Sequence, residues 1–367
     1  MNILIVKLSA IGDVLHTLPA LNALRQAFAD ARITWLVEEA AAALIEGHPA
    51  LDRVLVCRRK SWIRDWKAGR RKAVVAEAAD FVARLRDTVY DVVLDFQALL
   101  KGAVWIALCR GKRKIGFDRG MEHMEHSYWF LNERIPPISM EVHALERNLA
   151  MLEPLGIRNV QDVVYRLPIT ADHRNRVKRL LQPLSGAGPI VCINPVAKWD
   201  TKLWTARGFA AVADRLVAEV GAAVVFTGAK EDRNAVDAIR SRMSRNALDV
   251  SGKTDLMTLA ALYETADGVI STDTGPMHLA AAVETPVVAL FGPTAPWRTG
   301  PYGNRHRVIR LGTACSPCFR RSCANPVCMQ DIDAGSVFQA VVDALNDRRN
   351  TNANKRPTQD TSQEKHP

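Results

Sequence analysis

The chain of 367 residues lacks a long uncharged apolar run. Its most apolar stretch near the middle, residues 92–109, is broken by Asp95 and Lys101. A membrane-spanning helix needs about 20 predominantly apolar residues, so none is expected here. No Gly-x-Gly-x-x-Gly fingerprint follows any candidate nucleotide-binding strand, which argues against a dinucleotide-dependent dehydrogenase. No Walker pattern is present, which argues against an NTPase. No Asp-x-Asp metal motif falls in a loop expected to face a cleft, and no solenoid-length repeat is visible. The apolar run at Ile3–Val6 reads as a core strand and not as the apolar segment of a secretory signal. A cytoplasmic location follows as the expectation. There the seven cysteines are thiols or metal ligands sooner than disulfides.

Acidic residues are outnumbered. Lys and Arg total 49 against 39 Asp and Glu, a net charge of +10. That balance favours anionic partners: phosphates, nucleic acid or an acidic membrane surface. The length favours two domains, each able to bury its own core.

The N-terminal stretch organises the rest. Ile3–Val6 is a buried-strand pattern, residues 7–12 break it, and Val14, Leu15, Leu18 and Leu21 recur at helical spacing. In an open α/β sheet, a loop between strand and helix lies where ligands bind. Gly12 lets backbone approach a ligand. Asp13 places a carboxylate at the helix start, either as a cap alone or as part of a site with Lys7, Ser9, Gly12 and His16.

Strand patterns at 33–37, 53–56 and 91–95 alternate with helical patterns at about 38–46, 72–88 and 98–109, which implies a parallel sheet covered on both faces. The alternation restarts at Ile190–Ile193 and runs to Phe291, with a closing helix at Phe338–Leu345. The expected organisation is α/β: a Rossmann-like domain over 1–170, a linker at 171–188, a second Rossmann-like domain over 189–345, and a disordered polar tail at 346–367. Fold alone does not choose among dehydrogenase-like proteins, two-domain binding proteins and sugar transferases.

Five further stretches carry chemistry. Asp273-Thr-Gly-Pro-Met-His278 opens a helix after a strand, so Thr274, Gly275 and free helix amides can cradle a phosphate. Lys198 and Lys202 follow the first strand of the second half and can neutralise phosphate. The loop Phe226–Asp232 offers an acid for ribose hydroxyls. Residues 58–72 hold eight basic residues against one acid, with two tryptophans. That stretch suits an acidic sugar, anionic lipid or nucleic acid, or is simply a solvated helix start. Cys315, Cys318, Cys323 and Cys328 are four cysteines in fourteen residues. A structural zinc or iron, reduced thiols and a local disulfide all stay open for them.

Together the motifs Lys7-x-Ser9-x-x-Gly12-Asp13, Asp95-x-Gln97-x-x-x-Lys101, Thr201-Lys202-Leu203-Trp204 and Asp273-Thr274-Gly275-x-x-His278 resemble the ADP-heptose:lipopolysaccharide heptosyltransferases, glycosyltransferase family 9, of GT-B fold. The resemblance covers Met1 to about Leu345, and Asp13-Val-Leu-His-Thr-Leu-Pro19 is most similar to the first-acting heptosyltransferases. One departure is Val196, where the family often has glycine.

The resemblance implies an inverting transfer of L-glycero-D-manno-heptose from ADP-heptose to the Kdo region of the inner core, with no metal needed for catalysis. It implies Asp13 as general base, with His16 and Asp95 as competitors, and Lys202 as the residue that stabilises the leaving group. Donor contacts would come from Lys198, Thr201, Lys202, Glu231, Met257, Asp273, Thr274, Gly275 and His278. Glu231 would reach the ribose and Met257 the adenine. Acceptor contacts would come from Ser9, Gly12, His16, Arg58, Arg59, Lys60, Gln97 and Lys101. The expected partners are ADP-heptose, Kdo-lipid A and the inner-membrane surface, met peripherally by a monomer, with no nucleic acid. The alternatives are a later-acting heptosyltransferase, or a non-catalytic protein that binds a nucleotide or an anionic polymer.

Overall fold

The computed structural model describes residues 1–122, 124–184 and 188–354, with side chains to residue 350. Among the described residues, twelve strands form two six-stranded sheets. The first contains β1 (Asn2–Val6), β2 (Arg32–Glu38), β3 (Arg53–Cys57), β4 (Val89–Asp95), β5 (Arg110–Phe117) and β6 (Glu133–Ile135). The second contains β7 (Ile190–Asn194), β8 (Ala223–Phe226), β9 (Leu248–Asp249), β10 (Gly268–Thr272), β11 (Val287–Phe291) and β12 (Arg307–Arg310). Every strand pairing is parallel.

The strand orders are β3-β2-β1-β4-β5-β6 and β12-β11-β10-β7-β8-β9. Read from β9, the second order repeats the first: third, second, first, fourth, fifth, sixth. Each sheet therefore reverses direction of assembly between its first and fourth strands, and loops at that switch point are where doubly wound sheets bind ligands. Both central strands are apolar on both faces because helices cover both. Ile3, Ile5, Ile33 and Val37 face one core, and Leu4, Val6, Leu36 and Leu55 face another. The first core runs on without a break into Val225, Val269, Ala289 and Phe291 of the second sheet. The two halves thus share apolar packing behind the cleft.

Two parts of the expected organisation differ. The stretch read as a linker, 171–188, contains the helix Ala171–Leu181, capped by Thr170 and packed through buried Val177 against the helix Leu256–Thr265. Residues 185–187 lie outside the described part. The tail read from residue 346 begins as helix instead. Ala334–Asn354 is one helix, anchored by Val337, Phe338, Val341 and Leu345. Arg307 donates to Asp347 at 2.9 Å, and Arg348 donates to Ala266 O. These contacts carry the helix past its apolar face. Residues 355–367 are not among those described.

Candidate active site

The loops that leave β1, β4, β7 and β10 converge between the halves. Helix Ile11–Ala27 begins directly against helix Gly275–Ala282. A Cβ at Gly12 would lie 2.6 Å from His278 Cδ2, and one at Gly275 would lie 3.2 Å from Ile11 Cγ2. Only glycine fits this approach at Gly12 without displacing a buried ring. Two positive helix ends therefore face one small volume.

Asp13 sits in the first turn, and its Oδ2 accepts from Ala10 N at 3.0 Å. It caps the helix and also lines a cavity of about 220 Å³ with Lys7, His16, Phe96, Gln97 and Arg147. Gln97 is a brace: its Oε1 accepts from Leu8 N at 2.8 Å and Ser9 N at 3.1 Å. Lys101 donates to Ser9 Oγ. Asp95 is buried, and its Oδ1 takes the amides of Gln97 and Ala98 at 3.0 and 2.9 Å. Burial pushes its carboxyl up, although those hydrogen bonds oppose the shift. Asp95 shapes the loop and does not line the cavity.

His16 is buried with neither ring nitrogen hydrogen-bonded. Its ring meets His278 edge-on at 4.5 Å and His143 at 5.1 Å. Burial, then the neighbouring histidines, holds its pKa well below the ordinary value. His278 is lowered to about 4, chiefly by burial. His143 Nε2 lies 3.1 Å from Gly300 O, so this cluster joins the two halves.

On the other side, a cavity of about 400 Å³ is lined by Asn194, Val196, Lys198, Asp232, Leu256 and Thr274, among others. Thr274 is the N-cap of helix Gly275–Ala282, and its side chain leaves the helix amides uncapped. Lys202 Nζ is 2.6 Å from Asp273 Oδ2 and 4.5 Å from the centre of the Trp199 ring. Asp273 Oδ2 also accepts from Thr294 Oγ1 at 2.6 Å.

Several expected contacts are redirected. Met257 is 4% exposed and packs in the core. Leu256 and Leu259, three residues apart on the same helix face, line the cavity instead. Glu231 is exposed and outside the lining, where Asp232 stands, its Oδ2 accepting from Ala229 N at 2.7 Å. Thr201 is buried and donates to Arg320 O at 2.8 Å, which makes it a loop brace. His278 packs on His16 and does not line the donor-side cavity.

The basic stretch folds as helix Arg59–Lys67, a turn at Gly69 and helix Arg71–Arg86. Arg58 pairs with Glu39 at 3.0 Å and Glu77 at 3.1 Å, and Arg59 with Glu38 at 2.8 Å. Neither these nor exposed Lys60 lines either cavity. Among the described residues, no three His, Cys, Asp or Glu side chains are placed to hold a metal ion, and all seven cysteines are free thiols. The loop carrying Cys315, Cys318 and Cys323 is instead tied by Cys318 N and Phe319 N to Pro293 O at 3.0 and 2.8 Å. Arg147, His143 and Trp199 belong to the site although no sequence pattern marked them, whereas Asp232 is an acid of the loop already read as facing a ribose. A lone arginine or histidine between apolar residues gives no periodic signal.

Comparison with known proteins gives a consistent result. Residues 79–328 match the model of "Glycosyltransferase family 9 (heptosyltransferase)". The chain is 30% identical over 325 residues to lipopolysaccharide heptosyltransferase 1 of Pseudomonas aeruginosa, covering 88% of this chain and 87% of that protein. E. coli heptosyltransferase WaaC with ADP superposes with a TM-score of 0.74 at 27% identity, covering 94% of this chain and 100% of that one. WaaC with ADP-2-deoxy-2-fluoro heptose gives 0.72 at 27% identity, covering 94% and 99%.

Proposed function

The chain belongs to glycosyltransferase family 9, and from that premise we propose that this glycosyltransferase moves L-glycero-D-manno-heptose from ADP-heptose to the Kdo region of the lipopolysaccharide inner core, with inversion. Relatives named for heptose transfer support the sugar, and the ADP and ADP-sugar in the WaaC structures support the donor. The observation that carries the reading is the placement of Asp13: a carboxylate in the first-half cavity, at the mouth of a helix start that faces a second helix start.

The reaction is a single displacement. The acceptor hydroxyl attacks the anomeric carbon, the bond from that carbon to the diphosphate oxygen breaks, ADP leaves, and the hydroxyl proton passes to Asp13. Leaving-group charge falls on Lys202, Lys198 and the free amides at Gly275. These groups supply the charge a metal would supply, so transfer needs no divalent ion. Asp232 takes the ribose role, and Leu256 and Leu259 the apolar wall for adenine.

The enzyme works as a monomer on the cytoplasmic face of the inner membrane. No helix among the described residues is long and apolar enough to cross a membrane. Exposed Ile63 and Trp66, beside Arg64, Lys67, Arg70 and Arg71, support contact with an anionic surface. The test is incubation of the protein with ADP-heptose and Kdo-lipid A, without added metal and with EDTA, followed by product analysis. One added heptose with inverted anomeric configuration is expected. Use only of an already heptosylated acceptor would make it a later enzyme, and ADP binding without transfer to any saccharide would overturn the reading.

A further inference from the structure

Lys7 and Arg147 come from opposite ends of the first half and end at one place. Lys7 follows β1, and Arg147 lies on the helix Ala144–Ala150 that packs on helix Ile11–Ala27. Each is 8% exposed. Both line the cavity that Asp13 lines, with Phe96, Phe117 and Met140 as apolar walls.

Neither makes an ion pair with any described residue. Lys7 Nζ donates to Phe96 O at 2.7 Å. Arg147 Nη1 donates to Met140 O at 3.1 Å and to Val142 O. Among the described residues, the Nε and Nη2 donors of Arg147 have no hydrogen-bond partner. Burial lowers the pKa of both cations; the fields of Asp13 and Asp95 only partly offset this for Lys7, and those of Asp13 and Glu122 only partly offset it for Arg147. A buried charge without a counter-ion costs several kcal/mol, so proteins seldom keep one unless a ligand completes it. Two in one cavity, beside a carboxylate placed as a base and with the other lining carboxylate, Glu122, drawn to Arg298 at 3.7 Å, describe a socket for an anion carried by the molecule that Asp13 deprotonates. The free edge of Arg147 is a planar pair of donors, which matches a carboxylate in two-pronged fashion. The residues expected to recognise acceptor charge, Arg58 and Arg59, already have carboxylate partners.

We propose that the cavity beside Asp13 is the anion-recognition socket of the acceptor site, in which Arg147 and Lys7 hold a carboxylate on the same sugar, or the sugar adjacent to the one, whose hydroxyl is glycosylated. This rests on the acceptor being an acidic saccharide, as argued above. The assay compares a Kdo-bearing acceptor with the same acceptor after reduction of its carboxylates to primary alcohols. For the unaltered enzyme, reduction should raise KM about 10- to 100-fold, the worth of one charged hydrogen-bonded contact. Arg147→Gln should raise KM for the carboxylate acceptor by about the same factor, and it should then treat the two acceptors within about 3-fold of each other. Arg147→Lys should keep part of the discrimination. ADP affinity by calorimetry, read on every variant, should stay unchanged and reports the fold. Equal use of both acceptors by the unaltered enzyme, or full discrimination retained by both Arg147→Gln and Lys7→Gln, overturns the proposal. Failure of the unaltered enzyme to use any Kdo-bearing acceptor would instead fault the assigned function.

Discussion

Two lysines stand after the first strand of their respective sheets and live in opposite electrostatic worlds. Lys202, beyond β7, is paired with Asp273 and stacked on Trp199. Lys7, directly after β1, has a carbonyl for a partner and no ion pair. The sheets repeat one strand order, so the difference comes from the loops and not from the frame. The second half holds its cation neutralised by a carboxylate. The first half keeps its cations out of ion pairs with any described residue, in a cavity that Asp13 and Glu122 also line. A doubly charged, solvent-accessible leaving group can displace an internal carboxylate, and its departure lets that carboxylate return. An acceptor that must be held in one orientation is better served by donors that nothing else occupies.

The largest effect is expected at the chemical centre of the first half. Asp13→Asn keeps the helix start in shape and removes the basicity. Turnover should fall by about 10²–10⁴, with ADP affinity unchanged, in steady-state transfer and calorimetry. Near-normal transfer by a folded protein would move the base to His16 and dissolve the division of labour between the halves.

Lys202→Ala tests the paired lysine. Turnover should fall by about 10²–10³, while EDTA leaves the unaltered enzyme's rate intact. Because Asp273 is then left buried without its partner, stability should fall by about 3 kcal/mol in denaturant unfolding, and the Lys202→Met/Asp273→Asn double change should recover most of it without recovering turnover. Complete loss of activity on chelation, restored by a divalent ion, would hand the leaving-group role to a metal.

A smaller effect appears with pH at the joint between the halves. His278 faces Asp273 and Asp13, which attract a proton, and His143 and Lys202, which repel one, with the His16 ring against it. Burial wins and holds its pKa near 4, against an ordinary value of 6.5. The unfolded chain therefore takes up a proton near pH 6.5 that the folded chain refuses until about pH 4. Stability is full above pH 6.5 and falls as pH drops through this window, by about 3 kcal/mol for this group. Denaturant unfolding at pH 7 and pH 4.5 should show the loss, and His278→Gln should remove the part due to this ring, leaving that of His16. An unchanged slope would place the acid sensitivity elsewhere.

The smallest effect should follow reversal of Arg58, Arg59 and Lys60 to glutamate. Acceptor KM should rise only a few-fold, more at low salt than at high, with ADP affinity constant, because these side chains sit outside both cavities. A loss as large as that of Arg147→Gln would return acceptor recognition to this stretch.

Much of the frame was legible because buried parallel strands read as apolar runs. Ile3–Val6, Ile190–Ile193 and Pro286–Phe291 needed no context, and the loops after the first two follow from that reading alone. Arg110–Phe117 was not legible: Arg-Gly-Lys-Arg-Lys fills its first five positions, and the sheet supplies a pairing that composition argues against. Arg307–Arg310 was hidden for the same reason. In the site, Gly12, Asp13, Lys202 and Thr274 could be found from strand–loop–helix junctions. Met257 could not be told from Leu256, since one residue's rotation about a helix decides which faces the cavity. Arg147 was invisible because its meaning lies in the absence of a counter-ion, a property of three dimensions.

The joint formed by His16, His143 and His278 has a mechanical consequence. His16 meets its neighbours by ring contact alone, with no hydrogen bond on either nitrogen. Parting the halves there gives up dispersion contact but lets water reach nitrogens that have no partner when the cleft is shut. The loss and the gain oppose each other, so the His16 ring acts as a bearing and not as a latch. What holds the halves together at this joint comes from the contacts around the ring: His143 Nε2 against Gly300 O, and Glu141 against Arg298 and Trp297.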